Sequence, residues 1–549
     1  MKITLAQINP QPGNLSENSR KIIDIIRNAE KGGSDLVIFP ELCVTGYPPL
    51  DLLTYDRFIE DTLVAVKLIT EASKNIGVII GAPTYNKAAR GKPLFNSAIF
   101  IHNGEIITEF HKALLPTYDV FDEYRYFEPS KEFKVISFRG TRLAVTICED
   151  LWDEQPFLHY EQQRSIYDVS PMEEIKVHNP DIVINISASP FAHNRLATRE
   201  LVFSSKASRY NVPVIMVNQT GANADLIFDG GSLVIDKNGE IVTRLPLFEE
   251  KCETIDTEKL FLSHKRAQPL PAKNDLIYKA LITGIHDYMA KTSQTGVAVG
   301  LSGGIDSAVC AALATEAIGK AKVTGILMPS RFSSDHSVKD ALDLASNLGI
   351  KAFITEIEPP FSGFEKVMAP LFENMEPDVT EENIQARIRA TILMAYANKH
   401  KKIVLNTSNK SEAATGYGTL YGDMAGALSV LGDLYKTEVY EIARFINREK
   451  TIIPESTLTK APSAELRANQ LDTDSLPPYD ILDKVLFSFI ELQYDAGRII
   501  SEGYDPAMVN KIIGMVKRSE YKRFQAPPSL RVSAKAFGNG RRIPLVSGY

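Results

Sequence analysis

Apolar and polar positions along the first half of the chain predict short buried strands that alternate with helices. The apolar runs typical of buried strands comprise residues 3–8, 35–39, 78–81, 143–147, 182–185 and 214–217. Residues 22–29 instead carry isoleucine and alanine at helical spacing. Asn-Gly pairs at 103–104 and 238–239 lie between apolar runs and predict hairpin turns. Strands mixed with helices and hairpins favour a layered α/β sandwich over a purely parallel sheet.

The second half of the chain has a more regular pattern. A helix is predicted near residues 275–290, and helices alternate with strands predicted at 297–299, 324–328, 352–357 and 403–406. This alternation is typical of a doubly wound parallel sheet, in which ligands bind at the carboxyl ends of the strands. Residues 455–485 are polar and contain several prolines, so we expect loops there.

A stretch of mixed charge separates the two patterns. Residues 252–273 lack apolar periodicity and contain Pro269 and Pro271. We therefore predict a first domain at residues 1–255, a linker at 256–274 and a second domain at 275–549. This division agrees with the chain length of 549 residues, which is too long for a single hydrophobic core.

Composition narrows the class of protein. An apolar content of 44% and a charged content of 23% are typical of soluble globular proteins. No run approaches 18 apolar residues and a strand follows Met1 directly, so we expect no membrane span, no signal peptide and a cytoplasmic location. The four cysteines are too few and too scattered for a disulfide framework or a metal knuckle. A net charge of −7 argues against a general nucleic-acid binder.

A glycine-rich turn follows the predicted strand at 297–299 and leads into a helix. It comprises Gly300, Leu301, Ser302, Gly303, Gly304, Ile305, Asp306 and Ser307. Consecutive glycines let the backbone approach an anion, and the helix N-terminus directs free N–H groups at the same point. A Walker loop would need Lys-Ser or Lys-Thr where Ile305 and Asp306 stand, so this turn is poorly suited to holding a γ-phosphate for transfer. The alternative is an ordinary glycine-rich turn.

Three polar residues of the first half follow apolar strands, where catalytic groups are often found. Glu41 comes after residues 37–40, Lys112 after the strand at 106–111, and Cys148 after residues 143–147. Taken singly, the cysteine is more often a small core residue, and a lysine or glutamate at a strand end is usually solvated.

Together these segments resemble the nitrilase family of carbon–nitrogen hydrolases over roughly residues 1–250. The matching strings are FPEL at 39–42, HKALLP at 111–116 and ICED at 147–150. The resemblance implies an α-β-β-α sandwich in which Cys148 is the nucleophile and Glu41 the base. Lys112 would stabilise the thiolate and the oxyanion. A thiol is mostly protonated at neutral pH, so such a nucleophile needs a base and a cation nearby.

Further segments of the first half resemble those that bind glutamine in glutaminases of that family. By this resemblance Tyr118, Ser189 and Arg195 would hold glutamine, and Glu123 would orient the catalytic lysine. A packing or surface role for these four residues is the alternative.

In the second half, the SGGIDS string at 302–307 resembles the pyrophosphate loop of the ATP pyrophosphatases. Argininosuccinate, asparagine, GMP and NAD synthetases and the tRNA-thiolating enzymes share this loop. The thiolating enzymes usually bring extra cysteines and a basic nucleic-acid face, which this half lacks. Segments at 406–416, 421–423, 434–439 and 462–466 resemble the NAD synthetases in particular. A nitrilase-like glutaminase fused to such a synthetase is similar to the glutamine-dependent NAD synthetases.

That resemblance implies a role for individual residues. Residues 300–307, Thr407 and Lys436 would bind ATP, and Asp306 and Glu412 would hold Mg²⁺. Two carboxylates commonly hold a partly hydrated Mg²⁺. The residues that would contact deamido-NAD are Asn383, Glu412 and Lys522, with assistance from Arg387 and Arg389.

Two flexible segments are expected in the second half. The basic stretch at 517–542 has too few aromatics for a nucleic-acid arm, and we expect a loop that closes over the dinucleotide. Residues 331–337 resemble a mobile lid.

The resulting hypothesis is an enzyme that hydrolyses glutamine at Cys148 and passes the ammonia internally to a second site. There ATP adenylylates the carboxylate of deamido-NAD, and ammonia displaces AMP to give NAD. Glutamine, ATP and deamido-NAD are the expected partners, with Mg²⁺ as the cofactor, no tightly bound organic cofactor, and neither nucleic acid nor membrane. The resemblance also implies a homo-oligomer, either a dimer of synthetase domains or larger. The alternatives are an amidotransferase acting on another adenylylated carboxylate and a scaffold with two inactive domains.

Overall fold

The computed structural model describes residues 1–154, 166–260, 266–373 and 375–548. It divides the chain into two compact units, Met1–Pro271 and Ala272–Tyr549. Residues 261–265 of the predicted linker lie outside the described residues.

The first unit consists mainly of short strands. In chain order these are β1 (Lys2–Gln7), β2 (Leu36–Ile38), β3 (Gly77–Tyr85), β4 (Leu94–His102), β5 (Glu105–His111), β6 (Val135–Phe138), β7 (Thr141–Ile147), β8 (Ile182–Ser187), β9 (Val214–Asn218), β10 (Thr220–Asn223), β11 (Leu226–Asp229), β12 (Leu233–Ile235), β13 (Ile241–Arg244) and β14 (Lys251–Asp256). Its helices are α1 (Leu15–Lys31), α2 (Asp56–Ala72), α3 (Pro171–Lys176), α4 (Arg195–Tyr210) and α5 (Thr257–Leu260). Short 3₁₀ turns cover Leu50–Thr54, Glu123–Arg125 and Cys148–Leu151.

Two six-stranded mixed sheets form the centre of this unit. Their orders are β14-β1-β2-β3-β4-β5 and β13-β12-β9-β8-β7-β6. One apolar core fills the space between the sheets, and two further cores join the outer faces to α1 and α2 and to α3 and α4. The predicted α-β-β-α sandwich is therefore confirmed. The first strand is paired with the last, because Lys2 of β1 lies opposite Asp256 of β14.

The second unit contains five strands and twelve helices among its described residues. The strands are β15 (Val297–Gly300), β16 (Val323–Leu327), β17 (Lys351–Ile354), β18 (Ile403–Asn406) and β19 (Leu428–Ser429). The helices are α6 (Lys273–Lys291), α7 (Ile305–Ile318), α8 (Asp335–Leu348), α9 (Glu358–Phe372), α10 (Val379–His400), α11 (Lys410–Thr415), α12 (Lys436–Ile446), α13 (Glu455–Thr459), α14 (Tyr479–Ile490), α15 (Ala496–Ser501), α16 (Pro506–Arg518) and α17 (Glu520–Arg523). 3₁₀ turns cover Lys320–Lys322 and Asp472–Asp474.

The five strands form one parallel sheet in the order β17-β16-β15-β18-β19, as predicted for a doubly wound fold. The order reverses direction between β15 and β18, which is where such sheets open a crevice at their carboxyl ends. Residues 528–533 continue the edge beside β19. The N–H of Ser429 donates to the carbonyl of Pro528 at 2.8 Å, and the N–H of Leu530 donates to the carbonyl of Ser429 at 3.1 Å.

Three expected loops are partly helical in the structure. The helix α13 and the first half of α14 lie within residues 455–485, because Leu482, Val485 and Leu486 supply a buried apolar face there. Lys517, Arg518, Lys522 and Arg523 lie on α16 and α17 rather than on a loop. The expected lid at 331–337 runs into α8, whose N-terminus is capped by Ser334.

No helix in the described part of the chain is both long and apolar enough to cross a membrane.

Candidate active sites of the two units

Glu41 lies just past the end of β2, and its position depends on a glycine in the neighbouring strand β3. A Cβ atom on Gly81 would lie 2.2 Å from the backbone nitrogen of Leu42. Only glycine therefore lets the turn after β2 lie this close to β3. The turn leaves the Glu41 side chain fully buried.

A buried lysine connects two carboxylates beside this turn. The Nζ of Lys112 donates to Oε1 of Glu41 at 2.7 Å and to Oε1 and Oε2 of Glu123 at 2.9 and 2.8 Å. Tyr47 donates its hydroxyl to Oε1 of Glu123 at 2.9 Å. Asn96 donates its amide to Oε1 of Glu41 at 2.8 Å and to Oε2 of Glu123 at 3.4 Å. All five side chains are buried.

The charges of this cluster are set by burial and by each other. Burial alone would lower the pKa of Lys112, but the carboxylates of Glu123 and Glu41 more than offset it and raise that pKa well above its usual value. Burial raises the pKa of Glu123 to about 6, although Lys112 opposes the shift. Lys112 is therefore a permanent cation between two acidic groups.

Cys148 stands at the end of β7, on the first residue of a 3₁₀ turn. Its φ angle is 43°, a left-handed conformation that non-glycine residues seldom adopt and that is common at functional turns. Burial raises the pKa of its thiol well above the usual value and the charge of Glu41 raises it further, while Lys112 lowers it. The thiol is therefore neutral at rest, and its reaction requires a base to take the proton.

Asp150 ties the Cys148 turn to the segment after Lys112. Its Oδ1 accepts the N–H groups of Ala113 and Leu114, each at 2.9 Å, and its Oδ2 accepts the N–H of Ile147 at 2.9 Å. Burial raises the pKa of Asp150 to about 6, against the effect of these backbone donors. One carboxyl group thus fixes the spacing between the lysine segment and the cysteine.

The residues predicted to hold glutamine contact or adjoin residues that neighbour this cluster. Tyr118 donates its hydroxyl to Glu149 at 2.9 Å, and Glu149 directly follows Cys148. Arg195 contacts Asp119 at 3.3 Å. Ser189 follows Ala188, whose N–H donates to Oε2 of Glu41 at 3.0 Å.

The second unit contains a cavity of about 290 Å³ at the carboxyl ends of β15 and β18. Residues 300–307, Thr407, Glu412 and Lys436 all line it. The structure therefore brings together every residue predicted to hold ATP or magnesium.

The glycine-rich turn has a shape that only glycine allows. Gly303 has a φ angle of 79°, and a Cβ atom there would lie 2.2 Å from the carbonyl oxygen of Ser337. The 14-residue helix α7 begins directly after Gly304 and has no side-chain cap. Its first N–H groups are therefore available to an anion in the cavity.

Two carboxylates meet at a second buried lysine in this cavity. The Nζ of Lys436 contacts Asp306 and lies 3.5 Å from Oε1 of Glu412. Burial raises the pKa of Glu412 to about 8, and the charge of Asp306 adds to the shift while Lys436 opposes it. Asn409 joins the two acids, because its Nδ2 donates to Asp306 at 3.0 Å and its Oδ1 caps the N–H of Glu412 at 3.0 Å.

Helix α11, which carries Glu412, is anchored by a third buried lysine at its first residue. Lys410 contacts Asp433 at 2.9 Å, Glu491 at 2.8 Å and the hydroxyl of Ser533 at 2.9 Å. Burial alone would lower its pKa, but the two carboxylates raise it.

Asn383 and Lys522 do not line this cavity. Asn383 accepts the hydroxyl of Thr419 at 2.6 Å, and Lys522 donates to the carbonyls of Gly416 and Gly418 at 2.8 and 2.7 Å. Both therefore contact one segment, residues 416–419, whose Tyr417 lines the cavity. Of the two assisting arginines, Arg389 lines the cavity, and burial lowers its pKa to about 10.

Sequence reasoning missed several residues of both sites. In the first unit these are Tyr47, Asn96 and Asp150, and in the second they include Lys460 and Asp472, which line the cavity. The one signal available was the amide of Asn96, which with the neighbouring Ser97 interrupts the apolar residues of β4, since a buried amide needs a partner.

Comparison with known proteins gives matches over the whole chain. Residues 2–258 match the model of the carbon-nitrogen hydrolase family, and residues 277–526 match that of NAD synthase. A Synechocystis protein named glutamine-dependent NAD(+) synthetase is 44% identical, with 100% of this chain and 99% of the relative covered. A Thermotoga maritima protein of the same name is 39% identical with the same coverage.

A solved structure is also similar over the full length. It is the glutamine-dependent NAD+ synthetase of Acinetobacter baumannii in complex with ADP, with 36% identity and a TM-score of 0.78. The match covers 100% of this chain and 98% of that structure.

Proposed function

The chain belongs to the family of glutamine-dependent NAD(+) synthetases, and on that premise we propose how its residues divide the reaction between two sites. Its activity is that of a carbon–nitrogen ligase. Glutamine is hydrolysed to ammonia, which is used with ATP to convert deamido-NAD into NAD with release of AMP and diphosphate. This reaction is the last step of NAD biosynthesis.

One observation supports the assignment of the glutaminase site: the permanent cation of Lys112 lies near the buried thiol of Cys148. Cys148 attacks the amide carbon of glutamine as Glu41 accepts the thiol proton. The tetrahedral intermediate carries an oxyanion that Lys112 stabilises. Glu41 returns the proton to the leaving ammonia, and water then hydrolyses the thioester to glutamate. Tyr118, Ser189 and Arg195 hold the glutamine.

In the second unit, the turn at 300–307 binds the phosphates of ATP through its backbone N–H groups and the N-terminus of α7. Thr407 and Lys436 complete the ATP site. The carboxylate of deamido-NAD attacks the α-phosphate, diphosphate leaves, and ammonia then displaces AMP from the acyl-adenylate. Asn383, Glu412 and Lys522 contact deamido-NAD from the side of segment 416–419.

Asp306 and Glu412 fit a magnesium ion. Both are oxygen donors of the kind that Mg²⁺ prefers, and they lie close enough for the charge of Asp306 to raise the pKa of Glu412. When bound, the ion neutralises charge on the ATP phosphates. Until the ion binds, the positive charge of Lys436 offsets the repulsion between the two carboxylates.

We also propose a homo-oligomer that works in the cytoplasm, where its small-molecule substrates are found. Exposed apolar side chains on one face of α9 and at the start of α10 support self-association. They comprise Phe364, Val367, Leu371, Met375 and Val379.

The two sites are tested by measuring NAD formation with either glutamine or ammonium as the nitrogen source. Cys148→Ala is expected to lose at least about 1,000-fold with glutamine and to retain activity with ammonium, since only the first site needs the thiol. Asp306→Asn is expected to lose activity with both sources.

The opposite pattern would contradict these assignments. Glutamine-dependent activity in Cys148→Ala would remove Cys148 as the nucleophile. Ammonium-dependent activity at the wild-type level in Asp306→Asn would remove Asp306 from the ATP site.

A further inference from the structure

A buried amide separates the two carboxylates of the first site. Asn96 lies on β4 and is fully buried. Residues 98–101 of the same strand are apolar and buried. A smaller apolar residue at position 96 would serve this core equally well, without the cost of burying an amide. Its contacts must therefore explain its presence.

The backbone carbonyl and the amide nitrogen of Asn96 both contact the catalytic cluster. Its backbone carbonyl accepts the N–H of Lys112 at 2.9 Å. Its Nδ2 donates to Glu41 at 2.8 Å and approaches Glu123 at 3.4 Å. The NH₂ group must face the carboxylates, because the carbonyl oxygen in its place would meet two acceptors. The Oδ1 atom has no hydrogen-bond partner within the described ranges, so the amide is held by its donors alone.

These donors make the two oxygens of Glu41 unequal. Oε1 accepts from both Lys112 and Asn96, which use its two lone pairs. Oε2 accepts only the N–H of Ala188 among the described residues. One lone pair of Oε2 therefore remains for a proton.

We propose that Asn96 is a positioning residue of the glutaminase site, which occupies Oε1 of Glu41 so that Oε2 is the atom that takes the Cys148 proton. This inference rests on the proposed function of the first unit. Without the amide, Lys112 would be the only hydrogen-bonded link between Glu41 and Glu123 among the described residues, and Oε2 of Glu41 would be held less firmly toward the thiol. The loss would appear in the chemical step rather than in glutamine binding.

The charged and titratable groups around Glu41 come from several elements. They are Lys112 after β5, Glu123 on its 3₁₀ turn, Cys148 after β7 and Tyr47 in the turn after β2. None of these groups is itself replaced when Asn96 is changed. A change in the pH profile therefore reports the loss of the amide donor.

The experiment compares Asn96→Ala, Asn96→Ser and Asn96→Asp in the full-length enzyme. The matched control is Gln7→Ala, which removes another fully buried amide, one that donates to the backbone carbonyls of Pro246 and Glu249. Glutamate release gives kcat, KM and the pH profile, and the fluorescence of Trp152, which packs against Phe203 in the first unit, shows that this unit of each variant is folded.

For Asn96→Ala we expect a fall in kcat for glutamine of about tenfold to 100-fold, with KM changed less than about threefold. The acid limb of the kcat/KM profile should move up by about one pH unit, because the carboxylates lose a donor to their charged form. Asn96→Ser keeps one donor and should lie between Asn96→Ala and wild type. Asn96→Asp adds an acidic group between two others and should move the limb furthest. Gln7→Ala should leave the profile unchanged.

The results separate this inference from the proposed function. If Cys148→Ala still hydrolyses glutamine, the proposed function of the site is wrong. If Cys148 is essential but the Asn96 variants match Gln7→Ala in kcat and pH profile, Asn96 only fills space and the inference is overturned. A loss confined to KM would also overturn it.

Discussion

At the scale of single residues, each unit holds a buried lysine between two carboxylates, close to the ends of strands. Lys112 joins Glu41 and Glu123, and Lys436 joins Asp306 and Glu412. A buried charge of this kind is costly unless it is paired, so the lysine and its acids stabilise each other's ionised forms. Both clusters are therefore assembled before any substrate arrives.

Glu149, which directly follows Cys148, gives a test of these buried charges through stability. Burial raises its pKa to about 8, although Tyr167 and Tyr118 donate to it. The folded state then holds a proton that the unfolded chain releases near pH 4, so stability falls as pH rises from about 5 to 8. Glu149→Gln should reduce that fall by on the order of 2–4 kcal/mol.

Urea unfolding at pH 5 and pH 8 measures this effect in the first unit alone. Trp152, the single tryptophan of the chain, packs against Phe203 there, and its fluorescence reports the unfolding. Glu174→Gln, at an exposed position of α3, is the control and should leave the fall unchanged. An equal fall in Glu149→Gln and wild type would show that Glu149 is ionised in the folded state.

The sequence predicted the site residues that lie within short sequence motifs. It did not predict the site residues whose contacts come from neighbouring strands. Glu41, Lys112 and Cys148 each follow an apolar strand, and the structure brings them to one place. Asn96 and Tyr47 belong to no such string, because their role arises only from pairing between β4, β5 and the turn after β2. Interactions of this kind are fixed by the tertiary structure rather than by local pattern.

At the scale of elements, apolar periodicity predicted the sheets well and the polar segments poorly. The strand predicted at 403–406 has the bounds of β18, and the hairpins at 103–104 and 238–239 join β4 to β5 and β12 to β13. The error at α14 has a physical cause. Pro478 precedes the helix rather than interrupting it, and proline there is compatible with a helix start.

The anchoring of α11 by Lys410 gives a second stability test. Lys410→Met would leave Asp433 and Glu491 buried without their cation, and we expect the second unit to lose about 3–5 kcal/mol. Because α11 carries Glu412, ammonium-dependent NAD formation should fall as well. Hydrogen exchange of the peptide that contains α11 measures the local effect.

A surface ion pair serves as the control for that variant. Lys339→Met removes an exposed contact with Asp343 on α8 and should leave both exchange and activity unchanged. Normal protection of α11 in Lys410→Met would show that the buried cluster does not hold the helix.

At the scale of the whole molecule, the apolar face of α9 predicts self-association. Val367 and Leu371 are about 70% exposed, on one side of the helix. Light scattering of the wild type should give a multiple of 60.8 kDa. Replacing both residues with glutamate should shift the mass to that of a monomer, since charge is poorly tolerated in the centre of an interface.

Val64→Glu is the control, because it adds a charge at an exposed apolar position of another helix, α2. It should not change the mass. A monomeric wild type at micromolar concentration would refute the proposed homo-oligomer.

The order in which strands and side chains meet also bears on how the protein is made. In the first unit, β1 pairs with β14, so the sheet is complete once the ribosome has released the chain through Asp256. In the second unit, Lys410 and Asp433 bond to Ser533, and residues 528–533 extend the edge beside β19. Since domains generally fold as they are synthesised, the glutaminase can mature during translation. In the synthetase, Lys410 and Asp433 cannot form their hydrogen bonds to Ser533 until residue 533 has been synthesised.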